Sequence, residues 1–172
     1  MVATVLAGRQ ILAVDDEQDI LDIIAEELEE HGVQLDGASS YEEAMEKMSA
    51  AAYDLVILDI MGVKGFKLLE VAVNRRIPAV MLTAHALSPE SLKKSIELGA
   101  RAFLPKDQLG QLAPFLEDVF TYGYRGTWKS VLDKLAGSFG KRFGPDWTKT
   151  EKEFWEKFQK DLEVSEATII QS

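Results

Sequence analysis

The chain has no cysteine among its 172 residues. That excludes a disulfide framework, a thiolate metal site and a cysteine nucleophile, and it fits a reducing compartment. Long apolar runs are missing as well. None approaches the ~20 residues a helix needs to cross a bilayer, so no membrane partner is expected. The opening segment, Met1-Val-Ala-Thr-Val-Leu-Ala-Gly-Arg9, has no basic start and does not read as a secretory signal. The expected location is therefore cytoplasmic. Basic charge is scarce too. Residues 1–120 hold 10 Lys and Arg against 21 Asp and Glu, while residues 121–172 hold 9 against 8. An acidic surface repels phosphate backbones, and the near-neutral end has no basic excess, so no nucleic-acid partner is expected. No internal repeat or low-complexity tract is visible.

What is present is a chain with 47% hydrophobic residues, enough for a sizeable core. Its aromatics are unevenly spread. Six lie in the first 120 residues and nine in the last 52, including all three Trp. This shift places a domain boundary near Thr121.

The first part alternates between two patterns. Ile11–Val14, Val33–Ala38, Leu55–Leu58, Pro78–Leu82 and Arg101–Leu104 read as strands, several of them apolar throughout, as in strands buried on both faces. Between them lie helical patterns. Ile20, Leu21, Ile24 and Leu28 recur at helical spacing before His31-Gly32, whose glycine closes the helix. Ser40-Tyr-Glu-Glu43 is a capping-box pattern. Phe66 to Asn74 reads as a helix, and Ser88-Pro89-Glu90 supplies an N-cap, a first-turn proline and a first-turn acid. Leu109 to Phe120 is amphipathic, with Pro114 starting or kinking it. Five strands alternating with five helices imply an α/β fold with a parallel sheet.

Open parallel sheets bind ligands at the carboxyl ends of their strands. Here those ends carry Asp15 and Asp16, Asp59, Thr83 and Lys106. Three carboxylates on neighbouring strand ends repel one another, and a cation would relieve that. All-oxygen ligands select a hard ion, and an open site that keeps several waters suits Mg²⁺. Mg²⁺ beside a free carboxylate suits phosphoryl transfer to Asp59. Lys106 would neutralise phosphoryl oxygens, and Thr83 would donate a hydrogen bond to one. Taken singly, Asp15-Asp16 could cap a helix, Thr83 fill a strand and Lys106 sit in a loop. It is their joint placement that argues for a site.

The set Asp15-Asp16, Asp59, Thr83 and Lys106 resembles the receiver domain of two-component response regulators. So do Leu82-Thr-Ala-His85 and Gly99-Ala-Arg-Ala-Phe-Leu104. The resemblance covers about residues 9–121 and leaves residues 122–172 as a helical extension. It implies a flavodoxin-like, doubly wound five-stranded sheet of order 2-1-3-4-5. It also implies that Asp59 is the phosphoacceptor, fed by a sensor histidine kinase or phosphotransfer protein, in a chain that is not itself an enzyme. By the same likeness Asp16 binds Mg²⁺ directly, Asp15 largely through water, and Met61 through its backbone carbonyl. Thr83 and Lys106 hold the phosphoryl group, and His85 lines a water's approach. Phe103 holds the aromatic switch position, and as a static description it reads equally as a core aromatic on the last strand. Thr83 is then expected to move toward the phosphoryl group and let Phe103 turn inward, repacking the face of the fourth helix, fifth strand and fifth helix. Two departures stand out. The segment Asp59-Ile-Met-Gly-Val-Lys-Gly65 is two residues shorter than the family's and has no proline. Lys106 is preceded by Pro105 and followed by Asp107, where the family usually has a proline after the lysine.

The extension carries two apolar stripes, Trp128, Val131, Leu132, Leu135, Phe139 and Phe154, Trp155, Phe158, Leu162. Gly137, Gly140 and Gly144-Pro145 separate them, and Thr148 or Thr150 would cap the second. Two such helices cannot bury their faces alone. They are expected to fold back on the receiver, form a homodimer or bind a downstream protein. Two other readings stay open: a receiver-like binding module that works without phosphorylation, and an Asp-nucleophile phosphatase or phosphotransferase. The latter wants an acid where Met61 stands.

Overall fold

A computed structural model of the chain describes residues 4–84, 88–143, 148–149 and 151–163, with backbone alone at 125, 134–143 and 163. Five strands form one parallel sheet in the order β2-β1-β3-β4-β5. They are β1 (Gln10–Val14), β2 (Gln34–Ala38), β3 (Leu55–Asp59), β4 (Ala79–Thr83) and β5 (Ala102–Pro105). The helices are α1 (Gln18–Leu28), α2 (Tyr41–Ala50), α3 (Gly65–Asn74), α4 (Pro89–Glu97), α5 (Leu112–Phe143) and α6 (Lys152–Glu163). The strand order is the one expected from the resemblance.

Burial explains the sequence patterns. Every residue of β3, β4 and β5 is buried. Helices cover both faces, so no position on these strands needs a solvent-facing residue. At the sheet edge, β2 alternates instead, with Gln34 and Asp36 exposed and Ala38 buried. Helix α1 packs on α5, and α2 on α3. The Lys94 ammonium of α4 lies 4.6 Å above the Phe66 ring of α3. Ser88 and Ser91 form a reciprocal capping box at the start of α4, at 3.0 and 3.2 Å. At α2 the cap is one-sided. Ser40 Oγ accepts from the Glu43 N–H at 3.1 Å, but the Glu43 carboxylate turns to Ser39 instead of closing the box.

The expected boundary near Thr121 falls inside a helix. Helix α5 runs past it to Phe143, broken at Gly123, whose φ of 69° and ψ of −169° are not helical. Glycine adopts this backbone without the Cβ penalty that other residues incur. Pro114 falls in the first turn of α5, where its missing N–H costs nothing.

Beyond Gly123 the chain folds back onto the sheet domain. Trp128 is fully buried, and its indole N–H donates to the Ala100 carbonyl at 2.8 Å, two residues before β5. Its ring meets Phe158 of α6 edge-on, with centroids 5.9 Å apart. Lys93 of α4 pairs with Glu151 at 2.6 Å and lies 5.1 Å above the Phe154 ring. Trp128, Val131, Trp155, Phe158 and Leu162 belong to the same buried cluster as the sheet. Burying one Trp removes roughly 200 Å² from water, on the order of 5 kcal/mol at about 25 cal per Å² as an upper bound. The Glu151 side chain is half exposed, so solvent screens its ion pair with Lys93. The aromatics therefore hold the extension down, and the ion pair sets its register along α4. Helix α6 starts after Glu151, which has a φ of 67°, so Thr148 does not cap it. The expectations for His85, Thr150 and Gly144-Pro145 fall outside the described residues, as do the side chains of Leu135 and Phe139.

Candidate functional site

Strand register assembles the site. Val14 pairs with Leu58, which sets Asp15 level with Asp59. Asp59 pairs with Leu82, so Thr83 lies one residue further on, and Thr83 pairs with Pro105, which places Lys106 one step beyond. The staggered ends converge on one cleft lined by Asp16, Glu17, Asp59, Met61, Gly62, Thr83, Ala84 and Lys106. All the sequence-derived candidates in that cluster come together except Phe103, which lies back along β5.

Lys106 is the hub. Its ammonium is 2.8 Å from Asp15 Oδ2, 3.2 Å from Asp59 Oδ1 and 3.9 Å from Glu17 Oε2. The contact to Asp15 is the shortest of the three. Asp15 Oδ1 accepts the Glu17 N–H at 2.9 Å, and Asp59 Oδ2 accepts the Gly62 N–H at 3.0 Å. Asp15 is fully buried, Asp59 is 5% exposed and Asp16 is open to solvent. Burial pushes the Asp15 carboxyl up, and the charge of Asp59 adds to this, while Lys106 pulls it down less than burial raises it. Burial alone would lower Lys106. Asp15 and Asp59 outweigh that and raise it, so the ammonium stays charged.

Asp15, Asp16 and Asp59 each offer a carboxylate oxygen, and these oxygens lie within 4.8 Å of one another, so the three could hold a metal ion. Their donor set fits a hard divalent cation: all oxygen, with three negative charges facing one ammonium. A second observation agrees. Thr83 is 1% exposed, and its Oγ1 makes no hydrogen bond among the described residues. A buried hydroxyl left unpaired costs about 1–3 kcal/mol, a cost that a hydrogen-bond acceptor entering the cleft would remove.

The shortened loop after Asp59 closes by two devices. The Gly65 N–H bonds back to the Ile60 carbonyl at 3.1 Å. A Cβ at Gly65 would lie 2.1 Å from the Asp59 carbonyl oxygen, so the backbone leaves no room for one. Lys64 takes the left-handed conformation at φ 55°, which costs a non-glycine residue about 1–2 kcal/mol. Met61 lines the cleft with its side chain 69% exposed. The peptides of the described residues, including the one after Lys106, are all trans.

Phe103 lies in the core. Its ring is already inside, 1% exposed, so an inward turn on phosphorylation has no outward starting point in this conformer. The extension adds Trp128 and Val131 to the buried cluster that includes Phe103. Two residues of the cleft escape sequence reasoning. In the sequence Glu17 is only part of an acidic run, and Gly62 only punctuates a loop. The nearness in sequence of Glu17 to Asp16 and of Gly62 to Asp59 is the signal that could have found them.

A five-stranded parallel sheet of order 2-1-3-4-5, with acids just after β1 and at the end of β3 and a lysine just after β5, is the arrangement of a receiver-type signalling domain. The family model described as the response regulator receiver domain matches residues 11–114, and the chain belongs to that family. Among curated proteins it is similar to the phosphate regulon transcriptional regulatory protein PhoB of Klebsiella pneumoniae, 36% identical over 105 residues, covering 58% of this chain and 45% of that protein. It is also similar to the alkaline phosphatase synthesis transcriptional regulatory protein PhoP of Bacillus subtilis, 34% identical over 105 residues, covering 58% and 42%. The chain thus spans less than half the length of these relatives. Among solved structures it resembles the receiver domain of NtrX from Brucella abortus, with a TM-score of 0.53 and 32% identity over 60% of this chain and 94% of that one. A two-component response regulator from Clostridium difficile aligns with a TM-score of 0.60 and 26% identity over 65% and 95%. The family match ends at residue 114, short of the extension. No helix of the described residues is long and apolar enough to cross a membrane.

Proposed function

We propose that Asp59 accepts a phosphoryl group from a histidine kinase or phosphotransfer protein, and that the chain is a phosphoacceptor rather than a turnover enzyme. The observation that carries this is the placement of Lys106 between Asp15 and Asp59, with the unpaired Thr83 hydroxyl beside them. A carboxylate oxygen of Asp59 forms the new P–O bond as the donor's P–N bond breaks, the electron pair staying on the imidazole nitrogen. Asp15, Asp16 and the Met61 carbonyl would hold Mg²⁺ with Asp59, and the ion would supply positive charge to the transferring oxygens. Lys106 is placed to move from Asp59 toward a phosphoryl oxygen, and Thr83 to donate its hydroxyl to another. The Gly62 N–H steadies the attacking carboxylate.

A receiver unit of residues 9–121 would pass the signal to the extension, residues 122–172, through α4 and β5, where Lys93 and Ala100 already hold it. Output would be by protein interaction or homodimerisation, with the partner competing for the surface that α6 covers. The acidic receiver and near-neutral extension argue against nucleic acid. The mature location would be cytoplasmic.

Intact-mass measurement after incubation with acetyl phosphate or a phosphorylated donor, with and without Mg²⁺, tests the assignment. One Mg²⁺-dependent phosphoryl adduct is expected, absent from Asp59→Asn. Full labelling of that variant would refute Asp59 as the acceptor. Size-exclusion chromatography of the labelled chain separates rearrangement of a monomer from dimerisation.

A further inference from the structure

We infer that Gly62 is a positioning residue, glycine because the space a side chain would fill is taken by the Asp16 carboxylate. A Cβ built at Gly62 would lie 2.3 Å from Asp16 Cγ and Oδ1 and 2.4 Å from Oδ2. Backbone conformation does not demand glycine here, because Gly62 is not among the positive-φ residues, in contrast to Gly99 or Gly123. The demand is spatial, and it comes from a functional side chain. At Gly65 the obstacle is different: there a Cβ would strike the Asp59 backbone.

The arrangement links the shortened loop to the acidic cluster. Because Gly62 follows Asp59 by only three positions, its N–H reaches back to Asp59 Oδ2 at 3.0 Å. The same residue, lacking a side chain, lets Asp16 lie against the loop and within 4.8 Å of the other two carboxylates. Asp16 is exposed, so its carboxylate is the free end of a mobile side chain. A methyl group at position 62 displaces that end rather than the backbone, and the chain still folds. The N–H to Asp59 survives in Gly62→Ala, so the variant isolates the steric effect on Asp16.

This inference rests on reading Asp15, Asp16 and Asp59 as a divalent-cation site. Mn²⁺ serves as the probe, its free signal followed by electron paramagnetic resonance, together with thermal unfolding without metal. Gly62→Ala is expected to unfold within a few degrees of wild type and to bind Mn²⁺ ~10-fold or more weakly, the scale seen when a residue that orients a ligand is changed. Asp16→Asn should lose a similar factor. The double variant should lose little more than either one, because both changes remove the same ligand. Wild-type affinity in Gly62→Ala, or losses that multiply in the double variant, would overturn the inference while leaving the metal site standing. Failure of Gly62→Ala to fold would also overturn it, since the backbone would then be the obstacle. A wild-type chain that binds no Mn²⁺ would overturn the metal site itself and this inference with it.

Discussion

Replacing Lys106 with Met keeps the aliphatic stem and removes the ammonium that faces both Asp15 and Asp59. The two shortest of the three ion pairs that disappear span 2.8 and 3.2 Å. At an effective dielectric constant of about 20, each is worth on the order of 5 kcal/mol gross. Most of that offsets the cost of taking the charges out of water. Removing one partner of a buried pair typically costs about 3–5 kcal/mol. Solvent screening trims this little, because the Lys106 side chain is 10% exposed and that of Asp15 is fully buried. Proton uptake limits the loss, because Asp15 is already raised and rises further without the ammonium. The expected destabilisation without divalent ions is therefore about 3 kcal/mol at neutral pH, at the low end of that range. Mg²⁺ should then stabilise the variant more than the wild type, since three carboxylates without a competing ammonium bind the ion more tightly. A ligand at about 100 times its dissociation constant contributes about 2.7 kcal/mol, so much of the gap closes at saturation. Urea unfolding followed by Trp fluorescence, with and without Mg²⁺, measures both quantities. A metal-free variant within about 1 kcal/mol of wild type would refute the reasoning. So would equal stabilisation of both chains by Mg²⁺.

Three further outcomes are expected. Asp15 has a raised carboxyl, so its contribution to stability is full below the ordinary carboxylate value and is lost as pH rises through its folded value; without metal, urea midpoints should therefore show Asp15→Asn gaining on wild type from acid toward neutral pH, with Mg²⁺ reversing that advantage. Thr83→Val removes a buried hydroxyl that has no partner, so its thermal midpoint should equal or exceed that of wild type while phosphoryl uptake, followed by intact mass, slows. Trp128→Phe deletes the indole bond to Ala100 and leaves that buried carbonyl unpaired, which should cost about 1–3 kcal/mol in urea unfolding and expose the protease sites of the extension before those of the sheet.

Much of the architecture was readable because its cause is local. Apolar runs such as Leu55–Leu58 mark strands covered on both faces, and Ser88-Pro89 marks a helix start, through interactions within a few residues. The acids and the lysine could be placed because strand ends of a parallel sheet share one edge, so position along the chain implies proximity. The loop after Asp59 was less legible. Its length was visible, but the left-handed Lys64 and the packing of Gly65 on the Asp59 carbonyl depend on how helix α3 is drawn back against β3. Phe103 could be named as a core or switch aromatic, but only the structure shows its ring buried in this conformer.

The sequence by itself determined the alternation of strands and helices, the five chemical groups at the strand ends and the two amphipathic stripes of the extension. Those follow from hydrophobic periodicity and turn chemistry, which act over a few residues. Only the tertiary structure decided where the stripes go and how the acids are held. Lys93 and Glu151 are 58 positions apart, and Trp128 bonds a carbonyl 28 positions away. The Asp16 carboxylate lies where a Cβ of Gly62 would be. Such pairings depend on complementary shape and charge brought together by the whole fold, and periodicity carries no record of them.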